Sequence, residues 1–253
     1  MTVSSMPATF DTPNHITAKV ELARGTLQVI ASNRADTVVV VRPRDETKAV
    51  DLRTAERTRV SYSQGVLSVL SSQGLTFRTG TIDIVVELPS QSVLDISVAS
   101  AEVRADGDYG DVRFQSASGD LIIDAISGVA TVDTASGGVS IRELTGDIKR
   151  NTASGDFAVK VLRGHARVAS ASGSVDIGTA VAGGLVFETA SGNTSIGIAR
   201  GTAARLAIDT HSGAFSNSLE MAEGPEASDE IFDVNIRSAK GDVDLHRPVA
   251  LAG

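Results

Sequence analysis

The residues best suited to acid–base or metal chemistry are sparse in this sequence. The four histidines, His15, His165, His211 and His246, lie far apart, and His211 occupies an ordinary position of an internal repeat. The chain has no cysteine, which excludes disulfides, thiolate metal sites and cysteine nucleophiles. A polysaccharide lyase or hydrolase needs two carboxylates, or a basic residue, clustered over a groove. No such cluster stands out from the periodic background, so we expect no catalytic residues and no cofactor.

A calcium site of the nonapeptide-repeat type would need carboxylates and carbonyl oxygens that recur in successive glycine-rich turns. This chain has typically one glycine in nine residues through its repeats, and its acidic residues do not recur. Asp120 and Asp156 are replaced at the equivalent positions of other repeats by Gly138 and Ser174. The sequence therefore predicts no bound metal ion.

Pairs of hydroxyl residues recur in the repeats, and a regular hydroxyl array on a flat β-face could order water as an ice-binding surface does. Thr152 follows Gly146 by six residues, which is the same parity as the inward-facing Ile148. We therefore expect the hydroxyls to line the edge of the core, where they bond to turns and to one another. The pairs are Thr134/Ser136, Thr152/Ser154, Ser170/Ser172 and Thr189/Ser191.

Basic residues at a spacing of eighteen or its multiples form a possible ligand stripe on the outward face. Such a stripe could bind an anionic glycan or a teichoic-type polymer. Asp133 and Glu188 belong to the same face, however, which also fits an ordinary charged solvent surface. The stripe consists of Arg113, Lys149 and Arg167, with Thr131 between the first two.

Glycine recurs every nine residues through the middle of the chain and continues with small slips beyond it. Every second glycine closes a phrase of the type Ser/Thr-Ala-Ser-Gly, as at residues 152–155, so the full period is eighteen. Because glycine adopts positive φ without a steric cost, these positions are predicted to be structural corners. The predicted corner residues are Gly110, Gly119, Gly128, Gly137, Gly146, Gly155, Gly164, Gly173 and Gly192.

Apolar and polar residues alternate between these glycines, as in Leu121 and Ile123 after Gly119. Alternation with a period of two indicates strands with one buried face, and no helical stripe is present. We therefore predict an all-β fold, specifically a parallel β-solenoid with two strands in each eighteen-residue coil. Each strand would have about five residues, and a right-handed coil follows from the usual hand of parallel crossovers.

The repeats do not extend over the whole chain. We predict a flexible N-terminus at 1–13, a cap of opening β-strands at 14–95 and the solenoid at 96–246. An acidic insertion at 220–230 should form a loop, and residues 247–253 a tail.

Composition restricts the partners and the location. The formal net charge of −8 disfavours nucleic acid as a partner. No apolar run is long enough for a transmembrane segment, and the N-terminus does not resemble a signal peptide. The default expectation is a cytoplasmic protein, with peripheral envelope association as an alternative. We expect a monomer or small oligomer whose partner is a protein or an anionic glycan.

The recurring phrase Ser/Thr-Ala-Ser-Gly-Asp/Asn/Gly, together with the lead-in at residues 82–89, resembles a widespread bacterial family of β-strand-repeat proteins. Members of this family carry an adhesin label and form a domain of unknown function. The resemblance covers roughly residues 15–245 and implies no catalytic residues. The expected function is a non-enzymatic β-repeat scaffold or adhesin-like interaction module. The alternatives are a glycan-active β-helix enzyme, either a lyase or a hydrolase, and an anionic-polymer binder.

Overall fold

The computed structural model describes residues 7–71, 79–219 and 230–248. Of the residues that the structure describes, 74% lie in strands and one segment is helical, which confirms the all-β class. The helix is α1 (Ala49–Arg57). The strands are β1 (Ala8–Asp11), β2 (Thr17–Ser32), β3 (Asp36–Pro43), β4 (Arg59–Ser63), β5 (Val66–Leu70), β6 (Ile82–Pro89), β7 (Ser92–Ser118), β8 (Leu121–Ile126), β9 (Val129–Ser136), β10 (Val139–Thr145), β11 (Asp147–Ser154), β12 (Phe157–Ser172), β13 (Val175–Ser191), β14 (Thr194–Ile198), β15 (Thr202–Thr210), β16 (Phe215–Asn217), β17 (Glu230–Lys240) and β18 (Val243–His246).

Several predicted segments lie partly outside the described residues. These are 1–6 of the predicted N-terminal segment, 220–229 of the predicted acidic loop and 249–253 of the predicted tail. The predicted limit between cap and repeats, at residue 95, falls within β7.

Every second side chain of a strand is buried in the core, as the alternating sequence pattern predicts. In β8 the side chains of Leu121 and Ile123 are buried, whereas Ile122 between them is exposed. In β12 Phe157 and Val159 are buried in the same way. Successive side chains of a strand point to opposite faces, so one face of each strand supplies the core and the other meets solvent.

The eighteen-residue period of the sequence is the register of parallel strand pairing. Val139 of β10 lies opposite Phe157 of β12, and Ile148 of β11 lies opposite Ala166 of the same strand. Equivalent residues of successive repeats are therefore hydrogen-bonded neighbours across the sheet.

The predicted β-solenoid is nevertheless wrong, because the strands include a closed six-stranded parallel β-barrel with further strands outside it. The prediction assumed short strands separated by tight corners. Instead, β7, β12 and β13 run for 27, 16 and 17 residues, and Gly110 and Gly164 lie inside two of them. The repeat period predicts which residues pair between strands, but it does not predict how the sheet closes. The period alone therefore could not exclude a barrel.

The chain divides into two compact units, an N-terminal unit (Met1–Gly128) and a C-terminal unit (Val129–Gly253). In the N-terminal unit, β2 pairs in parallel with β5, β6 and β7. Antiparallel pairs, which the sequence analysis did not anticipate, join β3 to β1 and β6, and β4 to β5. Helix α1 is anchored by side chains that accept backbone hydrogen bonds: Asp51 from Thr81 N (2.9 Å) and Thr54 from Gly80 N (2.9 Å).

In the C-terminal unit the strand order departs from the chain order at its end. Strand β17 lies between β13 and β15, so that Ile236 is opposite both Phe187 and Ile208. Strand β18 similarly lies between β14 and β16. The insertion of β17 brings the last copy of the repeated phrase beside the copy at residues 189–192, and this creates the candidate site.

Candidate functional site

An open groove of about 930 Å³ lies on the outer surface of the C-terminal unit. It runs across β11, β12, β13 and β17, where the repeated phrases lie side by side. Its walls carry the hydroxyl and methyl groups of these phrases, with charged residues at one end. The hydroxyl residues are Thr152, Ser170, Thr189 and Ser238, and the methyl groups come from Ala169, Ala171, Ala190 and Ala239.

Three of the four groove hydroxyls donate hydrogen bonds to the turn that follows them, whereas the buried Ser238 Oγ has no hydrogen-bond partner. Thr152 Oγ1 donates to Ser154 O (2.8 Å) and Ser170 Oγ to Ser172 O (2.9 Å). Thr134 and Thr152 also bond to each other through their hydroxyl groups at 2.9 Å. The prediction that the hydroxyls bond to the turns is therefore confirmed for Thr152, Ser170 and Thr189, and bonding between hydroxyls is confirmed for Thr134 and Thr152.

A second ladder runs along the residue that follows each phrase glycine. Ser174 N donates to Asp156 Oδ1 (2.8 Å), and Asn193 N donates to Ser174 Oγ (3.3 Å). Asp242 N then donates to Asn193 Oδ1 (2.9 Å), and Ala214 N to Asp242 Oδ1 (2.8 Å). The variable residue of the phrase thus accepts a backbone hydrogen bond from the next strand, which explains why Asp, Asn and Ser recur there.

Because Asp242 joins β18 to the segment before β16, we expect Asp242→Ala to lower the free energy of unfolding by about 1 kcal/mol, the net worth of such a hydrogen bond. Asp176→Ala is the matched control, since Asp176 is an exposed carboxylate within β13. Urea denaturation of both variants measures the difference. Equal midpoints would show that the ladder adds nothing to stability.

Charged residues at one end of the groove alternate across three neighbouring strands. Arg237 of β17 lies opposite Glu188 of β13 on one side and Asp209 of β15 on the other. Its Nη1 is 3.6 Å from Glu188 Oε1, and both side chains are largely exposed. His211 completes this end of the groove. At this rim one positive charge therefore lies between two negative ones.

The predicted ligand stripe is brought together in part. Lys149 and Arg167 lie directly opposite each other on β11 and β12, with Thr131 opposite Lys149 on the other side, and both basic side chains are exposed. The next position across the sheet is Val186, where the run of basic residues ends. Arg113 is exposed on β7 of the N-terminal unit.

Six of the nine predicted corner glycines have positive φ: Gly119, Gly137, Gly146, Gly155, Gly164 and Gly173. The other three do not have positive φ, but the backbone comes close to each of them. A side chain at Gly192 would overlap the carbonyl oxygen of Gly173, and one at Gly110 would lie 3.1 Å from Gln91 O. At Gly128 it would overlap the Asp111 carboxylate.

Arg150 is a buried cation that the sequence analysis missed. It is 1% exposed, its Nη2 donates to Gly137 O (2.9 Å), and its guanidinium lies 5.7 Å from the ring centre of Phe157. Its buried Nε has no hydrogen-bond partner. Burial lowers the pKa of Arg150 to about 10. The sequence does indicate this burial, because the equivalent positions of the neighbouring repeats are the apolar residues Val132 and Val168.

Two further properties concern the described residues as a whole. Within residues 7–71, 79–219 and 230–248, no cluster of three or more His, Asp or Glu side chains is suited to hold a metal ion. No helix in the same ranges is long and apolar enough to cross a membrane.

Two of the solved structures that match this chain come from bacteria, and the first of them has a similar fold. A "putative lipid binding protein" from Parabacteroides distasonis is 11% identical, with 95% of this chain and 96% of that chain covered and a TM-score of 0.52. A "putative adhesin" from Bacteroides fragilis is 11% identical, with coverage of 95% and 98% and a TM-score of 0.42. No curated protein matches this chain.

The family resemblance noted from the repeated phrases is tested by the match of the whole sequence to known families. Residues 11–247 match one family, a span that includes both units and nearly all of the strands. The match confirms the resemblance: the chain belongs to the Toastrack DUF4097 family.

Proposed function

We propose that this protein is a non-enzymatic, adhesin-like interaction module that binds its partner through the groove of the C-terminal unit. The observation that carries this proposal is the groove itself, which is about 930 Å³ in volume and is lined by small hydroxyl and methyl groups. Small side chains leave the surface open along several strands. An extended polymer can lie along such a surface and make many weak contacts.

The hydrogen bonds and ion pairs of the groove residues support a function in binding rather than in catalysis. A hydroxyl nucleophile needs an adjacent base to accept its proton, whereas Thr152, Ser170 and Thr189 donate theirs to backbone carbonyl oxygens. A glycoside hydrolase needs two carboxylates on either side of the bond that it cleaves. Here Arg237 occupies the space between Glu188 and Asp209.

A second candidate ligand class is an anionic glycan. Lys149 and Arg167 lie on the same outward face as Asn151 and Ala169 of the groove wall, two residues earlier in the same strands. A negatively charged polymer in the groove could therefore reach both basic side chains. The lipid-binding name of the Parabacteroides protein is not carried over, because the only apolar residues that line this groove are alanines, which alternate with hydroxyl, amide and charged groups.

The test compares two alanines that occupy the same position of the repeated phrase. Ala190 lines the groove, whereas Ala135 is exposed on β9 outside it. We expect the protein to be retained on at least one of three bead types, coated with dextran, dextran sulfate or gelatin. Ala190→Trp should reduce retention at least tenfold because it fills the groove, and Ala135→Trp should not.

The outcomes separate the candidates. Retention on dextran sulfate that is lost in Lys149→Gln/Arg167→Gln identifies the anionic-glycan class. Retention on dextran identifies a neutral glycan, and retention on gelatin identifies an extended polypeptide. Failure to bind any of the three, or equal binding by the two tryptophan variants, would overturn the proposal.

A further inference from the structure

The outer edge of the C-terminal unit exposes side chains that belong to the core face of its sheet. Leu206 of β15 lies opposite Val234 of β17, yet Leu206 is 38% exposed whereas Val234 is 2% exposed. Phe215 of β16 lies opposite Val243 of β18, with exposures of 50% and 2%. The rows of core-facing side chains therefore continue from β17 and β18 into β15 and β16, but there the side chains are exposed to solvent.

Strand β15 is also a sheet edge. Among the described residues its backbone pairs on one side, with β17. Natural edge strands are usually protected by charged side chains, especially lysine, by proline or by an inward-pointing charge. Strand β15 contains no lysine or proline, and its two charged residues, Arg205 and Asp209, point outward. An edge of this kind is suited to pair with another strand.

The charges of β15 are complementary to themselves. Arg205 and Asp209 both point outward and lie symmetrically on either side of Ala207. In an antiparallel pair centred on Ala207, Arg205 of one copy would lie opposite Asp209 of the other, twice over. Leu206 would lie opposite Ile208 on the core side. Opposite charges and apolar residues in directly facing positions both stabilise antiparallel pairs.

We propose that β15 binds β15 of a second copy of this chain, in an antiparallel and two-fold symmetric arrangement centred on Ala207. A symmetric interface uses the same patch on both copies, which the self-complementary charge pattern provides. The inference goes beyond the proposed function, since it concerns how copies associate and not what the groove binds.

The absence of cysteine from the chain allows a register-specific test. In the proposed pair the two copies of residue 207 face each other with Cα atoms about 4.5–5.5 Å apart, within disulfide range. The two copies of residue 203 would be about 27 Å apart along the strands. We therefore expect Ala207→Cys to form a covalent dimer under mild oxidation, at least tenfold faster than Ala203→Cys.

Light scattering of the full chain provides the independent readout, with twice the chain mass expected. Arg205→Asp should weaken self-association about tenfold, since it places like charges opposite each other. The charge-exchanged variant Arg205→Asp/Asp209→Arg should regain most of it. A monomeric wild-type protein would overturn the proposal, and this would indicate that another segment of the chain covers the edge. Equal cross-linking at positions 203 and 207 would also overturn it, because association would then lack the register. These measurements do not involve binding to beads, so they test self-association independently of the proposed function.

Discussion

Gly164→Ala is expected to lower the free energy of unfolding by about 3–5 kcal/mol, a large effect for the addition of one methyl group. Gly164 has φ +137°, a conformation that residues with a side chain rarely adopt. A Cβ atom there would also overlap the carbonyl oxygen of Gly146 on the adjacent strand. The obstacle is backbone, so it cannot move aside as a flexible side chain could.

Gly201→Ala is the matched control in the same unit. Gly201 also has positive φ, +76°, but a Cβ atom there would meet nothing within 4 Å. This variant should lose about 1 kcal/mol, from backbone strain alone. Urea denaturation of the two variants gives the comparison. Similar losses for both would mean that strand packing tolerates a side chain at Gly164 and that φ alone explains the glycine.

The close approach at Gly164 also shows what the sequence could and could not reveal. The spacing of the glycines predicted that equivalent residues stack eighteen apart. Gly164 does stack on Gly146, eighteen residues earlier, and on Gly183, which is nineteen residues later because the register shifts once between the two strands. The same spacing suggested that Gly164 ends a strand, whereas β12 continues through it. A repeated sequence pattern predicts strand pairing well, because equivalent residues of neighbouring strands pair with each other. It predicts the closure of the sheet into a barrel poorly, because closure depends on strand tilt and on the sheet as a whole.

The candidate site was predictable in its parts but not as a whole. The parity of Thr152 placed the hydroxyls at the turns, where they lie. The groove exists because β17 inserts between β13 and β15, which brings Ser238 and Ala239 beside Thr189 and Ala190. The phrase at Ser238 is one repeat among several, so its residues do not predict which strand it will join.

Helix α1 could not be predicted from the sequence for a different reason: it is nine residues long and mostly polar, and it is held by Asp51 and Thr54.

Arg150→Met is expected to stabilise the protein, by about 1–3 kcal/mol at neutral pH, although it removes a hydrogen bond and a cation–π contact. Burial takes the guanidinium out of water, and in return it gains one carbonyl acceptor and the face of Phe157. Its Nε remains unpaired. Methionine has a similar length, no charge and enough flexibility to fill the space. It would also continue the apolar column of Val132 and Val168.

The lowered pKa of Arg150 gives this prediction a pH signature. Because burial lowers the pKa of Arg150 to about 10 in the folded state, the charged form is destabilising at every pH below about 10. Above about pH 10 the folded state loses the proton while the unfolded chain still binds it, so raising the pH through this window removes the penalty. The stability of the wild type should therefore approach that of Arg150→Met as the pH rises through this window.

Arg167→Met separates burial from the mere loss of a positive charge. Arg167 is exposed on the adjacent strand, so its replacement should change the free energy of unfolding by less than about 0.5 kcal/mol at any pH. Urea denaturation of the wild type and both variants at pH 7 and pH 11 measures all four differences. If Arg150→Met is less stable than the wild type at pH 7, the contacts with Gly137 and Phe157 outweigh the cost of burying the charge. The guanidinium would then be a stabilising strut between β11 and the turn at Gly137. If it is more stable and the gain shrinks at pH 11, the buried charge is a cost that the rest of the core offsets.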